Sequence, residues 1–377
     1  MENFHNKITF LLDECAPFRT LSKKELYLKK KTWISHSILK KIKERDGLLK
    51  KANKTKDSDK RTNLLKRFKD IRNEITNLKR KAKENYYHDF FERNKNKTSK
   101  IWKCINSIVK LNRSYGSIKS IDVDGTPSND PQKIAEGFNN YFASVGPNIE
   151  KNISSSSKSF LDYLSNVRVN SSFFMSPTTP EEVFEIIKKL DSNKSLGPNS
   201  VPSFLLKTNN SFFSEHLGKV INLSFKTGIF PDLCKVAKVS PIFKSGDQNL
   251  CENYRPISLL PIYSKVFEKV IYSRMYSFLT KNNLIYNKQF GFRSGYSTNH
   301  AIISLTEEIK AFLDSGQLAI GVFLDFKKAF DTINHEILLK KLYCYGFRGI
   351  TNKLLESYLE NRKQFVSIDG VNSDRIV

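Results

Sequence analysis

The sequence predicts an α+β protein in which a basic helical region precedes a region that mixes short strands with helices. In the first quarter, Leu64, Phe68, Ile71, Ile75 and Leu78 recur at the spacing of one helix face. Further along, apolar runs of strand length bounded by turn residues occur at 236–243, 254–260 and 318–326. A chain of 377 residues is long enough for two or three domains with a sizeable core.

The positive charge of the chain is concentrated near its beginning. Residues 1–100 carry 29 Lys and Arg against 13 Asp and Glu, a net charge of +16, out of +25 for the whole chain. Such an excess indicates a polyanionic partner, and nucleic acid is the commonest one, although a solvated helix surface would have the same composition.

The stretch 23–111 has the charge and spacing of long helices, interrupted by a loop expected at 50–60, where apolar periodicity is missing. Residues 85–109 alternate aromatic side chains with basic and amide ones. These aromatics could stack on bases, but the packed side of a helix pair is the interpretation that the spacing favours.

A change of composition follows. Asp124-Gly125 between short β-like runs predicts a hairpin, residues 131–146 a helix, and the serine-rich stretch 153–159 a flexible connector. The expected domains are therefore a basic helical region at 1–112, a hairpin, helix and connector at 113–178, and a third region at 179–377.

A helix start is predicted here, with Thr179 as the cap, Pro180 in the first helical position and two glutamates after it. The runs 236–243 and 254–260 flank a polar turn and predict a β-hairpin that brings Lys238, Lys244 and Arg255 near one another. Clustered cations repel unless an anion lies between them, so a phosphate group would suit this hairpin. A solvated basic turn is the alternative.

Helices are then expected over 263–279 and 299–313, on either side of a glycine-containing loop at 286–298. In this loop Gly291 would allow a close backbone approach, and Arg293 could meet a phosphate.

The run 318–326 predicts a buried strand, with Asp325 at its carboxyl end and an amphipathic helix after Lys327. A carboxylate at that position is costly to bury unless it is paired or bound to a metal. The spacing alone leaves two interpretations open: a ligand for a hard divalent cation, or a cap of the following helix.

Four stretches resemble reverse transcriptases of non-LTR, LINE-type retrotransposons, particularly the jockey-like group. They read NKSLGPNSVPSFLLK (193–207), VAKVSPIFKSGDQNLCENYRPISLLPIYSKVFEKVI (236–271), YNKQFGFRSGYSTNHAI (286–302) and FLDFKKAFDTINHEILL (323–339). The resemblance implies a right-hand polymerase represented by its fingers and part of its palm, preceded by the basic linker of such elements. It also implies an RNA template, a DNA primer and deoxynucleoside triphosphates as partners.

The same resemblance assigns roles to individual residues. Asp325 would be the catalytic carboxylate and, with the backbone carbonyl of Phe326, a ligand of a two-ion Mg²⁺ site. Phe330 would pack under the deoxyribose. Arg255 and Lys244 would bind the triphosphate together with Phe326, and the template would be bound by Arg293, Gly291 and Gln289.

The family's later Asp-Asp pair is absent from these 377 residues, so the resemblance implies an incomplete Mg²⁺ site and a chain that is inactive alone. A non-catalytic basic RNA- or DNA-binding protein, a cellular protein that reuses the fingers, and an intron maturase are the alternatives. Five scattered cysteines and the lack of a long apolar run favour a reducing, intracellular setting without a membrane.

Overall fold

The computed structural model describes residues 1–17, 19–20, 22, 25, 31–109, 118–123, 125–153, 158–164, 169–192, 195–198, 201–326 and 328–377. They form two compact units. The larger unit comprises Met1–Thr9 and Tyr115–Val377, and the basic unit comprises Phe10–Ser114. The mixture of helices with small sheets agrees with the predicted α+β class.

Helices account for the regular structure of the basic unit. Helix α1 (Glu2–Cys15) ends in it, and α2 (His36–Lys54), α3 (Ser58–Asn94) and α4 (Thr98–Ile108) follow. Ser35 and Asp57 cap α2 and α3 through their side chains. The predicted stripe is confirmed in part, because Ile75 is buried and its neighbours at helical spacing are half-buried.

One expectation for this unit was wrong, and a second is confirmed only in part. The loop expected at 50–60 is limited to residues 55–57, because helix propensity carries α2 through Lys54 and Asp57 starts the next helix. The aromatic side chains of 85–109 are packed only in part, because Tyr87, Phe90 and Phe91 are half-buried. Trp102 is 59% exposed, Tyr86 is 36% exposed, and α4 has no buried residue.

The larger unit contains a two-stranded hairpin and a four-stranded sheet. The hairpin pairs β1 (Ile121–Val123) with β2 (Thr126–Ser128), as the sequence predicted. The sheet has the order β4-β3-β5-β6, built from β3 (Val236–Phe243), β4 (Tyr254–Leu259), β5 (Lys363–Ile368) and β6 (Val371–Asn372). Strand β3 is antiparallel to β4 and parallel to β5.

Helix α5 (Pro131–Glu150) covers one face of this sheet. Phe138, which is fully buried, packs against Tyr254 of β4 at a ring-centroid distance of 4.9 Å. Val239 and Val366 from the sheet and Ile121 from the hairpin complete the same apolar cluster. Residues of the expected second segment, 113–178, and of the third therefore share one core. The three-part division itself stays a prediction.

The remaining helices are α6 (Pro180–Lys188), α7 (Ser203–Thr208), α8 (Asn210–Thr227), α9 (Ile262–Lys281), α10 (Thr298–Asp314), α11 (His335–Cys344) and α12 (Ile350–Leu359). Short 3₁₀ turns occur at Phe160–Tyr163, Asp232–Cys234 and Cys251–Asn253. Phe230 packs between Phe267 of α9 and Tyr358 of α12, with ring centroids 5.5 and 5.0 Å away. Phe4, near the start of α1, contacts Phe213 and Tyr263.

The buried strand expected at 318–326 is not formed. These residues have no regular structure, and Leu318, Ile320 and Phe323 are 92%, 91% and 86% exposed. A strand requires a hydrogen-bonding neighbour, and within the described ranges no strand pairs with this run. The helix expected directly after Lys327 begins only at His335, following a turn at 328–332.

Candidate nucleotide and template site

The hairpin of β3 and β4 has one face in the core and an outer face on which cations lie among apolar side chains. In the observed register Phe243 pairs with Tyr254 and Ile242 pairs with Arg255. Since successive side chains point to opposite faces, Tyr254 faces the core while Arg255 lies on the other side. Lys244, two residues beyond Ile242, belongs to the same outer face and is exposed, as is Arg255.

Lys238 shares this face but lies too far away to join the pair. It is opposite Leu259, four residues along β4 from Arg255. At about 3.3 Å per residue the two positions are roughly 13 Å apart along the strand. The structure therefore brings together two of the three cations that the sequence suggested, Lys244 and Arg255.

The turn between the two strands is held by a network of hydrogen bonds. The Lys244 backbone N–H donates to the Asn253 carbonyl at 2.8 Å, and the Asn253 side chain donates to the Asp247 carbonyl at 2.9 Å. Gly246 adopts φ +92°, a left-handed conformation that glycine adopts without strain. The Asp122 N–H of β1 donates to the Asn249 carbonyl at 2.8 Å, so the small hairpin supports the turn.

A half-buried thiol, Cys251, lies at the base of this turn. Burial raises the pKa of Cys251 to about 11, and the nearby Asp122 carboxylate acts in the same direction. The thiol therefore stays protonated at neutral pH and is a poor nucleophile or metal ligand.

Asp325 and Phe326 lie on the irregular segment 317–326, and both are exposed. Phe330, five residues after Asp325, is 75% exposed and makes an edge-on contact with Phe292 at 5.9 Å. This contact joins the segment after Asp325 to the loop at 286–298, which the sequence alone did not place together.

Arg293 is engaged inside that loop. Its Nη1 donates to the carbonyls of Tyr286 and Asn287 at 3.3 Å, and its guanidinium lies 4.2 Å from the Tyr296 ring centroid. Gln289 donates to the Gly291 carbonyl at 3.2 Å. A Cβ at Gly291 would meet no atom within 4 Å, so the structure gives no steric reason for glycine there. The template role of these three residues stays a prediction.

Sequence reasoning missed a contact that fixes the turn after Asp325. Lys328 donates to the Tyr141 hydroxyl of α5 at 2.9 Å, and its Nζ lies 4.7 Å from the Tyr141 ring centroid. Gly146 of the same helix leaves room for the Asp331 carbonyl, which an added Cβ would overlap. The Lys-Lys pair after Phe326 was a signal for some contact, but its partner lies 187 residues away.

The described residues do not by themselves fit a two-ion metal centre. Within those ranges no group of three or more His, Cys, Asp or Glu side chains could hold an ion. Two divalent cations about 3.5–4 Å apart repel strongly, and several anionic ligands are needed to hold them. Asp325 supplies one such carboxylate.

A match to a known protein family covers this part of the chain. The family described as "Reverse transcriptase (RNA-dependent DNA polymerase)" matches residues 242–375, which run from the end of β3 through Asp325 to β6. This segment is therefore similar to the reverse transcriptase family.

The relatives identify the group more closely. The chain is 29% identical over 272 residues to "Probable RNA-directed DNA polymerase from transposon BS" of Drosophila melanogaster, covering 71% of this chain and 29% of that protein. It is 33% identical to the probable RNA-directed DNA polymerase from transposon X-element, over 50% of this chain and 21% of that protein. It is 30% identical to the RNA-directed DNA polymerase from mobile element jockey, over 53% of this chain and 22% of that protein, and both relatives are from Drosophila melanogaster. These similarities support a reverse transcriptase of the non-LTR, LINE type, and the chain spans less than a third of the length of these relatives.

None of the helices that the structure describes has the length and apolar character needed to cross a bilayer.

Proposed function

We propose that this chain provides the nucleotide-binding fingers and the first part of the palm of an RNA-directed DNA polymerase from a non-LTR retrotransposon. The observation that supports this proposal most directly is the placement of Arg255 and Lys244 on the outer face of one hairpin, inside the segment that matches the reverse transcriptase family. The substrates would be deoxynucleoside triphosphates, an RNA template and a DNA primer.

The two cations would act differently on a triphosphate. The planar guanidinium of Arg255 can bind two phosphate oxygens at once, whereas the Lys244 ammonium is a point charge at the end of a flexible stem. The hydrogen-bonded turn would keep Lys244 beside Arg255 without a large entropic cost on binding. The supporting side chains Asn253, Asn249 and Asp247 would then be positioning residues.

Asp325 is the carboxylate proposed to serve the reacting end of the primer, with the Phe326 carbonyl as a further oxygen ligand for Mg²⁺. Divalent metal ions are general in reverse transcriptases, and such ions would activate the 3′-hydroxyl and hold the triphosphate. Within the described residues no group of three or more His, Cys, Asp or Glu side chains could hold such ions, so we expect no primer extension by the 377-residue chain alone with Mg²⁺ or Mn²⁺.

The test is a chimera in which residues 242–375 of this chain replace the matching segment of the Drosophila melanogaster jockey protein, assayed by primer extension on RNA. Arg255→Ala should raise the KM for nucleotide about tenfold or more, because a charge-assisted fork to phosphate is lost. Arg255→Lys should restore part of the loss, and Asp325→Ala should abolish extension. Lys310→Ala, at an exposed position of α10, is the matched control and should extend normally.

Two results would contradict the proposal. Extension that survives Asp325→Ala would show that this carboxylate does not serve the reaction. Equal loss of template and nucleotide binding in Arg255→Ala would show that the hairpin is a general basic patch.

A non-catalytic, basic nucleic-acid-binding protein is the second candidate. The exposed aromatic and basic side chains of α3 and α4 favour it, and it predicts binding without any effect of Asp325→Ala.

A further inference from the structure

A long groove lies between α6 and α9 of the larger unit. One cavity of about 970 Å³ continues into a second of about 600 Å³, and both are lined by Lys189, Leu190, Lys269 and Tyr272. The two therefore form one surface, here named the α6–α9 groove. Its lining on α9 extends over residues 262–281, roughly 28 Å at 1.5 Å per residue. Such a shape suits an extended chain better than a compact small molecule.

Two tyrosines form a stacking surface in this groove. Tyr272 and Tyr276 lie one helical turn apart, with ring centroids 5.5 Å apart and ring planes inclined by 21°. Tyr272 is 47% exposed, and the Lys269 Nζ lies 5.7 Å from its ring centroid. A flat aromatic surface next to an ammonium group can receive an unpaired base and its phosphate together.

The ammonium groups of the groove are available for an anion. Lys189, Lys265, Lys269 and Lys281 line it, and within the described part of the chain none of the four lies in a salt bridge. Lys269 and Lys265 are one helical turn apart on α9, so their like charges repel until an anion binds between or beside them.

The carboxylates of the groove are already engaged. Glu182 accepts two hydrogen bonds of 2.8 Å from the Arg274 guanidinium. Glu185 forms a salt bridge of 3.3 Å with Lys188, which is not one of the four groove lysines. The Glu268 carboxylate accepts hydrogen bonds from one serine hydroxyl and one tyrosine hydroxyl, and Asp191 also has an interaction partner. The groove therefore presents more unpaired positive than negative charge, although equal numbers of Lys and acidic side chains line it.

We propose that the α6–α9 groove binds single-stranded nucleic acid, with bases stacked on Tyr272 and Tyr276 and phosphates held by Lys265, Lys269 and Lys189. The stacked rings distinguish this ligand from a duplex, which hides its base faces. The proposal goes beyond the polymerase site and does not rest on it, since binding is measured without catalysis.

The experiment uses the full chain and fluorescein-labelled oligouridylate RNA of about 10 nucleotides, with binding followed by fluorescence anisotropy. The Tyr272→Ala/Tyr276→Ala variant should bind about tenfold more weakly, because base stacking on the rings is lost. The Tyr272→Phe/Tyr276→Phe variant should bind as the parent does. The Lys265→Gln/Lys269→Gln variant should reduce the slope of log K against log salt by about 0.7 for each phosphate that is no longer neutralised.

Controls separate this groove from the basic unit, which also attracts polyanions. Tyr163→Ala removes a ring that is 72% exposed outside the groove, and Lys219→Gln/Lys226→Gln removes the same charge from α8. Both should leave affinity within twofold. Cross-linking of 4-thiouridine RNA to the full chain should label peptides of α9, and the label should disappear in the double alanine variant.

An oligothymidylate arm decides whether the groove prefers RNA or accepts DNA as well. The proposal is overturned if the double alanine variant loses duplex RNA binding to the same extent, if polyglutamate competes as well as RNA does, or if α9 is not labelled. A failed primer extension in the chimera would leave this result unaffected.

Discussion

Arg274 and Glu182 link α9 to α6 through two side-chain hydrogen bonds. Arg274 is 11% exposed and donates to both carboxylate oxygens of Glu182 as well as to the carbonyls of Ser176 and Pro177. The Glu182 carboxylate also accepts a 2.6 Å hydrogen bond from the Thr178 hydroxyl. A planar guanidinium that satisfies several acceptors at once fixes the angle between two helices.

This pair makes the stability of the larger unit depend on pH. The hydrogen bonds from Arg274 lower the pKa of Glu182 below its usual value of 4.5, although partial burial opposes them. Because the folded pKa is below the unfolded one, the stabilisation is complete above about pH 4.5 and is lost as the pH falls through the folded pKa.

We therefore expect Glu182→Gln to lower the free energy of unfolding by about 1–3 kcal/mol at pH 7, and by progressively less below pH 4.5. Urea unfolding of both proteins from pH 7 down to pH 3 measures the difference. Glu185→Gln, on an exposed carboxylate with one weaker partner, should change stability by less than about 0.5 kcal/mol. A constant difference between Glu182→Gln and the parent at every pH would contradict this account.

Local signals at single residues were predictable from the sequence. Thr179 accepts from the Glu182 N–H and Pro180 is the first residue of α6, as the capping pattern indicated. Arg293 was a different case, because its type suggested a phosphate contact while its guanidinium donates to carbonyls of its own loop. Nothing in the sequence distinguishes an arginine that binds a phosphate from one whose N–H groups donate to backbone carbonyls.

At the scale of elements, Gly346 governs how α11 joins the segment at 169–173. It follows α11 with φ +101°, and its carbonyl accepts from the Phe173 N–H at 2.8 Å. A Cβ there would lie 2.6 Å from the Ser171 carbonyl oxygen and 3.1 Å from the Phe278 ring. Glycine is needed both for its conformation and for the close approach.

Gly346→Ala and Gly370→Ala separate these two requirements. Gly370 has φ +90°, but a Cβ there would meet nothing within 4 Å. Gly370→Ala should therefore lower the free energy of unfolding only by the conformational cost of a left-handed alanine, about 1–2 kcal/mol. Gly346→Ala should lower the free energy of unfolding by at least about 1 kcal/mol more, because the backbone atoms near the added Cβ cannot move aside easily. Thermal and urea unfolding measure both, and equal losses would mean that the contact with Ser171 relaxes at no cost.

Elements defined by their own residues were predicted well, and elements that depend on a distant partner were not. The bounds of β3 agree with the apolar run at 236–243, and α9 and α10 begin and end within two residues of the expected helices. The run 318–326 has an equally apolar composition, yet in the structure it is exposed and irregular. Periodicity reports which residues suit a buried strand, but it contains no information on whether a neighbouring strand pairs with them.

The packing of α5 shows the same limit. Its helical character could be read from the sequence, but its burial depends on contacts with β3 and β4 more than 100 residues away and with β5 more than 200 residues away. For that reason the expected second segment was separated from the third, while Phe138 and Tyr254 lie in one core.

For the whole molecule, the two units differ strongly in charge. Residues 10–114 carry 31 Lys and Arg against 12 Asp and Glu, a net of +19, whereas the rest of the chain carries 32 against 26, a net of +6. The basic unit therefore has most of the charge in less than a third of the length. Its α3 has exposed cations at Lys66, Arg67, Lys69 and Arg72, next to a narrow apolar stripe.

The location of this charge, and not its total, should determine the salt dependence of nucleic-acid binding. Changing Lys66, Arg67, Lys69 and Arg72 to Gln removes four charges from α3, and changing Lys219, Lys226, Lys310 and Lys340 to Gln removes four from exposed positions of the larger unit. Both variants reach the same net charge.

Each phosphate neutralised on a single strand contributes about 0.7 to the slope of log K against log salt, so removing up to four such cations should reduce the α3 variant's slope by as much as about 3. The variant in the larger unit should keep most of its slope, because its four positions are spread over separate helices and cannot follow one strand. Anisotropy titrations with labelled RNA over a range of salt concentrations measure both slopes. If the slope falls equally in the two variants, the chain attracts nucleic acid through its overall charge, and the basic unit is not a binding surface of its own.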